Sequence, residues 1–255
     1  MENTAVLVDE ILHGQGYVLL PELFSPQEMA AARDLILATA AAPDSRCVLA
    51  SEGRSRVYGL LQAAAIFRQM VQHPQVIAVT ESILGADMTL GGFSAHVLYP
   101  GAASMGAHVD YPYFTMEPPY PQQPVLEIQA IWLMEEFTAN NGAPAFVAGS
   151  QKLGRFPEPA EFTARAQKVT GPPGSLVLSH GLCWHDTSEN HAEQPRVSVL
   201  GNYTPKYIRP LENPLGQVGP ELLSQSDPKL RQLLGLEFQS SIFKDAVAHL
   251  NTSYA

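Results

Sequence analysis

The stretch GSLVLSHGLCWHDTSENHAEQPRVSVLGNYTP, residues 174–205, holds two apolar runs, SLVLSH and RVSVLGNYT, with three histidines in and between them. β-Branched or alternating runs bounded by Gly, Pro and Asn read as strands. Arg196 and Ser198 stand two apart in the second run, so in extended backbone they share one face. An arginine inside an apolar strand needs a buried anion, and a guanidinium beside a hydroxyl suits a carboxylate.

The same texture extends backwards. MTLGGFSAHVLYP (88–100), PVLEIQAIWLMEEF (124–137) and APAFVAG (143–149) read as further strands, and Asn141-Gly142 predicts a hairpin between the last two. Before them the chain reads as helical support. In GYVLLPELFSPQEMAAARDLILATAAA (16–42) a short strand leads into a helix with Ser25, Pro26 and Glu28 as a capping box. Its apolar face is Met29, Ala32, Leu35 and Ile36. A second helical region runs from about Leu60 to Leu84, broken near His73-Pro74. Helices followed by many strands predict a mainly β, α+β chain with a sandwich or barrel core.

The remaining candidates lie in MGAHVDYPYF (105–114), where His108 and Asp110 are again two apart. An imidazole and a carboxylate on one face are two thirds of the triad that holds non-haem Fe(II). The second histidine must come from elsewhere, and His180, His185 and His191 are all available. Together with the carboxylate receptor at Arg196, such a metal site is what 2-oxoglutarate requires.

Four segments sharpen this reading: GYVLLPELFSPQEM, YPGAASMGAHVD, AIWLMEEFTANNGAPAFVAGSQK and GSLVLSHGLCWHDTSENHAEQPRVSVLGNYTP. Together they resemble the phytanoyl-CoA dioxygenase family of Fe(II)/2-oxoglutarate oxygenases, over about residues 16–205. The resemblance implies a double-stranded β-helix (jelly-roll, cupin-like) core with helices packed on one side. By its motif the distal ligand is His185, and Arg196, assisted by Ser198, takes the far carboxylate of 2-oxoglutarate. It also places a polar residue of the strand LEIQAIWL, here Gln129, near the co-substrate or the iron-bound water. Two departures stand out. Ala148-Gly149-Ser150-Gln151 replaces the usual Pro-Gly-Ser-His, and Asp110 is present where halogenating relatives carry Ala or Gly.

The implied activity is oxidation, foremost hydroxylation, of a small and moderately apolar molecule, with Fe(II), 2-oxoglutarate and O2 as cofactors and co-substrates and secondary metabolism as the setting. Tyr111, Tyr113 and Phe114 follow the ligands and are expected to wall the substrate pocket. Arg56 and Tyr58 precede the second helical region, where such folds close over the site. Rival readings are a metal-dependent hydrolase or isomerase without 2-oxoglutarate, and a non-catalytic binding protein on the same fold. His13, His73, His96 and His249 read as structural.

Composition bounds the rest. With 15 Lys+Arg against 25 Asp+Glu the net charge is −10, which excludes nucleic acid and anionic membrane surfaces as partners. Two cysteines, Cys47 and Cys183, make no disulfide framework or thiolate metal site. No signal peptide or 18-residue apolar span is visible, so the expectation is a soluble cytoplasmic protein. One domain over 1–255 is expected, with its core at about 88–207, helical support at 1–87 and an extension at 208–255. The helical spacing of DPKLRQLLGLEFQSSIFKDAVAHL (227–250) serves either to cap the barrel or to bury against a second copy in a homodimer.

Overall fold

The computed structural model describes residues 3–42 and 47–236. The extension pattern beyond 236, with His249, lies outside the described residues. Among the described residues ten strands form: β1 Tyr17–Leu20, β2 Val48–Ser51, β3 Arg54–Val57, β4 Thr89–Leu98, β5 Ile128–Leu133, β6 Pro144–Phe146, β7 Gln167–Lys168, β8 Leu176–His180, β9 His185–Thr187 and β10 Arg196–Thr204. Seven make one antiparallel sheet in the order β1-β8-β5-β10-β4-β3-β2, and three make a small sheet, β7-β6-β9. The architecture is the expected jelly roll with helices on one side.

Period-two alternation divides the large sheet. Phe93, Ala95 and Val97 of β4, Ile128, Ala130 and Trp132 of β5, and Val197 and Val199 of β10 join one buried apolar cluster. Leu7 and Ile11 of α1 (Thr4–Leu12), Met29, Ala32 and Ile36 of α2 (Pro26–Ala41), and Val76 and Val79 of the helix Pro74–Leu84 complete that cluster from the other side. The intervening residues Ser94, His96, Gln129, Arg196 and Ser198 face away from the helices, towards the small sheet.

Helix α2 begins as expected. The Ser25 hydroxyl accepts from Glu28 N–H at 3.3 Å and the Glu28 carboxylate accepts from Ser25 N–H at 2.9 Å, an arrangement that stabilises by about 1 kcal/mol. Leu35, expected on its apolar face, is exposed instead. The second helical region is three helices, Leu60–Ala63, Ala65–Val71 and Pro74–Leu84, with His73 capping the last. The hairpin expected at Asn141-Gly142 does not form, because β5 and β6 belong to different sheets. Asn141 instead closes a turn, accepting from Thr138 N–H and donating to Glu136 O, so the chain crosses from one sheet to the other. The sequence reading missed α1, the hairpin β2–β3, the short strands β7 and β9, and the helices Pro159–Arg165 and Pro220–Gln225. Among the described residues no helix is long and apolar enough to cross a membrane.

Candidate active site

The two sheets enclose the candidate site, and backbone pairing builds it. His108 and His185 face each other across an antiparallel bridge, exchanging N–H···O bonds of 3.0 and 3.1 Å. Their rings lie 4.3 Å apart, centroid to centroid. Each Nδ1 sits against a backbone carbonyl two residues away, His108 on Gly106 at 2.8 Å and His185 on Cys183 at 2.9 Å. A proton on Nδ1 satisfies that carbonyl and leaves the Nε2 lone pair free, the tautomer a metal needs. Asp110 completes the group. One ligand atom from each of the three lies within 4.8 Å of the others, and Asp110 Oδ2 is 3.6 Å from His185 Nε2.

The donor set fits a divalent iron. Asp110 Oδ1 accepts from Gln129 Nε2 at 3.2 Å, whereas the buried Oδ2 has no protein partner. Buried polar atoms are normally paired, so an orphan carboxylate oxygen in a group with two imidazoles marks a place for a cation. Electrostatics agree. Burial pushes the Asp110 carboxyl up to about 6, with His108 and Arg56 opposing the rise. Burial, reinforced by mutual repulsion at His108, lowers both imidazoles below their usual value. The histidines are therefore neutral near pH 7, ready to ligate.

About 80 Å³ of cavity continues from the triad to Arg196 and Ser198. Arg196 is 4% exposed; its Nη1 donates to Ser198 Oγ at 2.8 Å and its Nη2 to Gly142 O at 2.6 Å. Gly142 has φ +80°, and a Cβ there would come within 2.5 Å of Leu98 Cδ2, so only glycine presents this carbonyl without strain. Phe137 lies under the guanidinium, 4.8 Å from ring centroid to Cζ. The Nε of Arg196 has no partner. Burial weakens the hold of Arg196 on its proton, Glu135 opposes this, and Arg54 adds to it. A bound carboxylate would satisfy both the open N–H and the charge.

Outward from the metal group lies a second cavity of about 470 Å³. Tyr111, Phe114, Gln129 and Arg56 line it, together with Met105, Phe156, Leu200, Asn202 and Leu211. Tyr113 does not, contrary to expectation. It is wholly buried with its hydroxyl accepting from Leu126 N–H at 2.8 Å, because a 3-10 turn at Tyr113–Thr115 breaks the alternation that would have aimed it outward. Tyr58, one residue past β3, is not among the residues lining this cavity or the inner one. His180 is turned away, its Nδ1 accepting from Leu182 N–H and its ring stacked on Tyr113. His191 is exposed beside Glu189.

Several wall residues escaped the sequence reading. His96, read as structural, lines the cavity between Arg56 and Ser198, its register partners on β3 and β10. Its alternation with Ser94 in β4 was a usable signal. Glu212 reaches back from beyond β10 to Arg56 (3.0 Å), Ser94 Oγ (2.9 Å) and Phe93 N–H (2.8 Å), while Tyr111 donates to Arg209 O at 2.8 Å. These bonds lay the segment 206–212 across the mouth. Glu127 is buried beneath Asp110; burial, then the Asp110 charge, holds its carboxyl well above the usual range, and it accepts from Asn202 Nδ2 at 2.9 Å.

A family model described as Phytanoyl-CoA dioxygenase (PhyH) matches residues 12–198. Dioxygenase af480 of Aspergillus fumigatus is 26% identical over 252 residues, 95% of this chain and 81% of that protein. Dioxygenase trt7 of Aspergillus terreus is 24% identical over 192 residues, 73% of this chain and 66% of that protein. Among solved structures, the epimerase SnoN in complex with Fe3+, alpha ketoglutarate and nogalamycin RO matches with a TM-score of 0.63 at 20% identity, covering 81% of this chain and 86% of that one. At that identity the likeness is one of fold. The family match runs through most of the chain, and the protein belongs to the phytanoyl-CoA dioxygenase family of iron- and 2-oxoglutarate-dependent dioxygenases.

Proposed function

We propose that the protein hydroxylates a small molecule with an apolar body, holding Fe(II) on His108, Asp110 and His185 and the far carboxylate of 2-oxoglutarate on Arg196 and Ser198. The observation that carries this reading is the orphan Asp110 Oδ2 among the converging ligand atoms, at one end of a cavity whose other end is a buried, partly unpaired guanidinium. Iron with 2-oxoglutarate supplies oxidising power from O2, with succinate and CO2 as co-products. The chain supplies placement. His108 and His185 keep their Nε2 atoms free by giving the Nδ1 protons to Gly106 and Cys183 carbonyls. Gln129 fixes one Asp110 oxygen and leaves the other, Oδ2, to hold the metal. Arg196, braced by Gly142 and Ser198, orients the co-substrate. Tyr111, Phe114, Phe156 and Leu211 line the outer cavity, where they would exclude water and hold the substrate beside the centre. A hydrolase without 2-oxoglutarate would leave the Arg196–Ser198 pair without a ligand.

The test is succinate formation from 2-oxoglutarate by anaerobically purified protein given Fe(II) and then air, with no added substrate. Slow turnover that disappears in Arg196→Ala supports the reading. Absence of both turnover and a 2-oxoglutarate-dependent absorption band of the Fe(II) protein overturns it. Product analysis with a candidate substrate then separates hydroxylation from desaturation, cyclisation or epimerisation.

A further inference from the structure

Beside the two cavities already described lies a third, of about 260 Å³, whose walls include Leu49, Arg54, His96, Leu98 and Met105. It meets both others at Arg56 and Met105, which line all three. Cross-strand register explains its charge. Arg54, Leu98 and Arg196 form one row across β3, β4 and β10, and Arg56, His96 and Ser198 form the next. Neighbouring strands are about 4.8 Å apart, so the Arg54 and Arg196 backbones stand about 10 Å apart with Leu98 between them. In a chain of net charge −10, three guanidinium groups thus gather on one patch of sheet.

Two of the three are accounted for. Arg56 pairs with Glu212 at 3.0 Å, and Arg196 lines the inner cavity, where the proposed function gives it the co-substrate. Asp186, the other carboxylate near this wall, is occupied by Ser104 Oγ at 2.6 Å and Met105 N–H at 3.0 Å. Arg54 remains. It gives one N–H to Ala103 O, its buried Nε has no partner, and among the described residues no carboxylate lies within 4 Å of it. The Nε is cut off from water without gaining a protein partner, and a carboxylate in this cavity would supply one.

We propose that Arg54 is a second carboxylate site, separate from that at Arg196, and that it takes the acidic end of an apolar molecule bound at the centre. The inference rests on the hydroxylase reading and names the chemistry of its substrate as an apolar acid. The lining supports this, since Leu49, Leu98 and Met105 give the cavity around the guanidinium an apolar wall.

The experiment uses the full chain loaded anaerobically with Fe(II) and 2-oxoglutarate, titrated by calorimetry with 4-phenylbutyrate and with its uncharged counterpart 4-phenylbutan-1-ol. Wild-type protein is expected to prefer the acid by roughly ten-fold or more, the range of a charge-assisted hydrogen bond. Arg54→Gln is expected to erase that preference while changing alcohol affinity less than about two-fold. If Arg54→Gln fails to fold, Arg54→Met, of similar length, takes its place. An undiminished acid preference in a folded variant overturns the proposal. So does an Arg54 variant that weakens 2-oxoglutarate, read from its absorption band, as much as Arg196→Ala does, because the carboxylate is then the co-substrate's own. Displacement of 4-phenylbutyrate by succinate through an Arg54-dependent site keeps the carboxylate site and overturns its assignment to the substrate. Failure of the band in wild-type protein strikes the hydroxylase reading alone, since probe binding still reports on Arg54.

Discussion

The two faces of the large sheet are made by alternate residues of the same strands, yet they are chemically opposite. On β10, Val197 and Val199 enter the apolar cluster under the helices, while Arg196 and Ser198 line the cavity. On β5, Ala130 and Trp132 do the first and Gln129 and Ile131 the second. One face stabilises the fold by removing apolar area from water, at about 25 cal/mol per Å². The other leaves polar atoms unpaired, and of the nine such buried atoms found among the described residues, four belong to the cavity residues Arg54, Asp110, Gln129 and Arg196. Stability and chemistry are thus separated by one residue of register, and mutations should sort by parity.

The sharpest break is at the metal. Asp110→Ala or His185→Ala is expected to cut succinate formation by about 10³-fold, roughly 4 kcal/mol of lost transition-state stabilisation, with the melting temperature of the metal-free protein unchanged or raised. A fall in stability as large as a core deletion would erase the contrast between the faces. On the opposite face, Trp132→Ala should cost about 3–5 kcal/mol in chemical denaturation, because the ring is wholly buried against Phe24 and His73. Metal stoichiometry at low temperature should stay at one.

Next comes Arg196→Ala, expected to weaken 2-oxoglutarate by about 100-fold in an absorption titration of the Fe(II) protein. A change under about three-fold would remove Arg196 from the co-substrate. The pH dependence of metal affinity follows. Asp110, raised to about 6, binds a proton below that pH which the metal must displace. The histidines, lowered by burial from their usual value, add their own protons only on the acidic side of that value. Affinity for Co(II) should therefore be flat above pH 7 and fall about tenfold per unit below 6. A slope much steeper than tenfold per unit would mean that imidazole protons are displaced along with that of Asp110. The smallest effect is at the helical support, where Ser25→Ala should cost about 1 kcal/mol by loss of the cap and leave the metal site untouched.

How much of this was legible follows from the same alternation. Period two revealed β4, β5, β8 and β10, paired His108 with Asp110 and Arg196 with Ser198, and would have exposed His96 by its parity with Ser94. It failed where backbone is not regular. The 3-10 turn rotates Tyr113 inward, and β9, His-Asp-Thr, is a strand only because β6 and His108 pair with it. The strands β2 and β3 are four residues each, too short to show a period, so Arg54 went unread. Phe156, Leu211 and Glu212 reach the mouth along irregular paths that carry no local periodicity, and only tertiary structure brings them there.

The bridge between His108 and His185 has a consequence for descent. Because two backbone hydrogen bonds hold the imidazoles opposite each other, the reaction centre is inherited with the sheet pairing. It does not depend on the length or wording of the loops that leave it. The segment 111–124 after Asp110, YPYFTMEPPYPQQP, and the segment 206–212 can drift, lengthen or be exchanged while the ligands stay put. A lineage built this way can meet new molecules by rewriting its rim, generation after generation, without reinventing its centre.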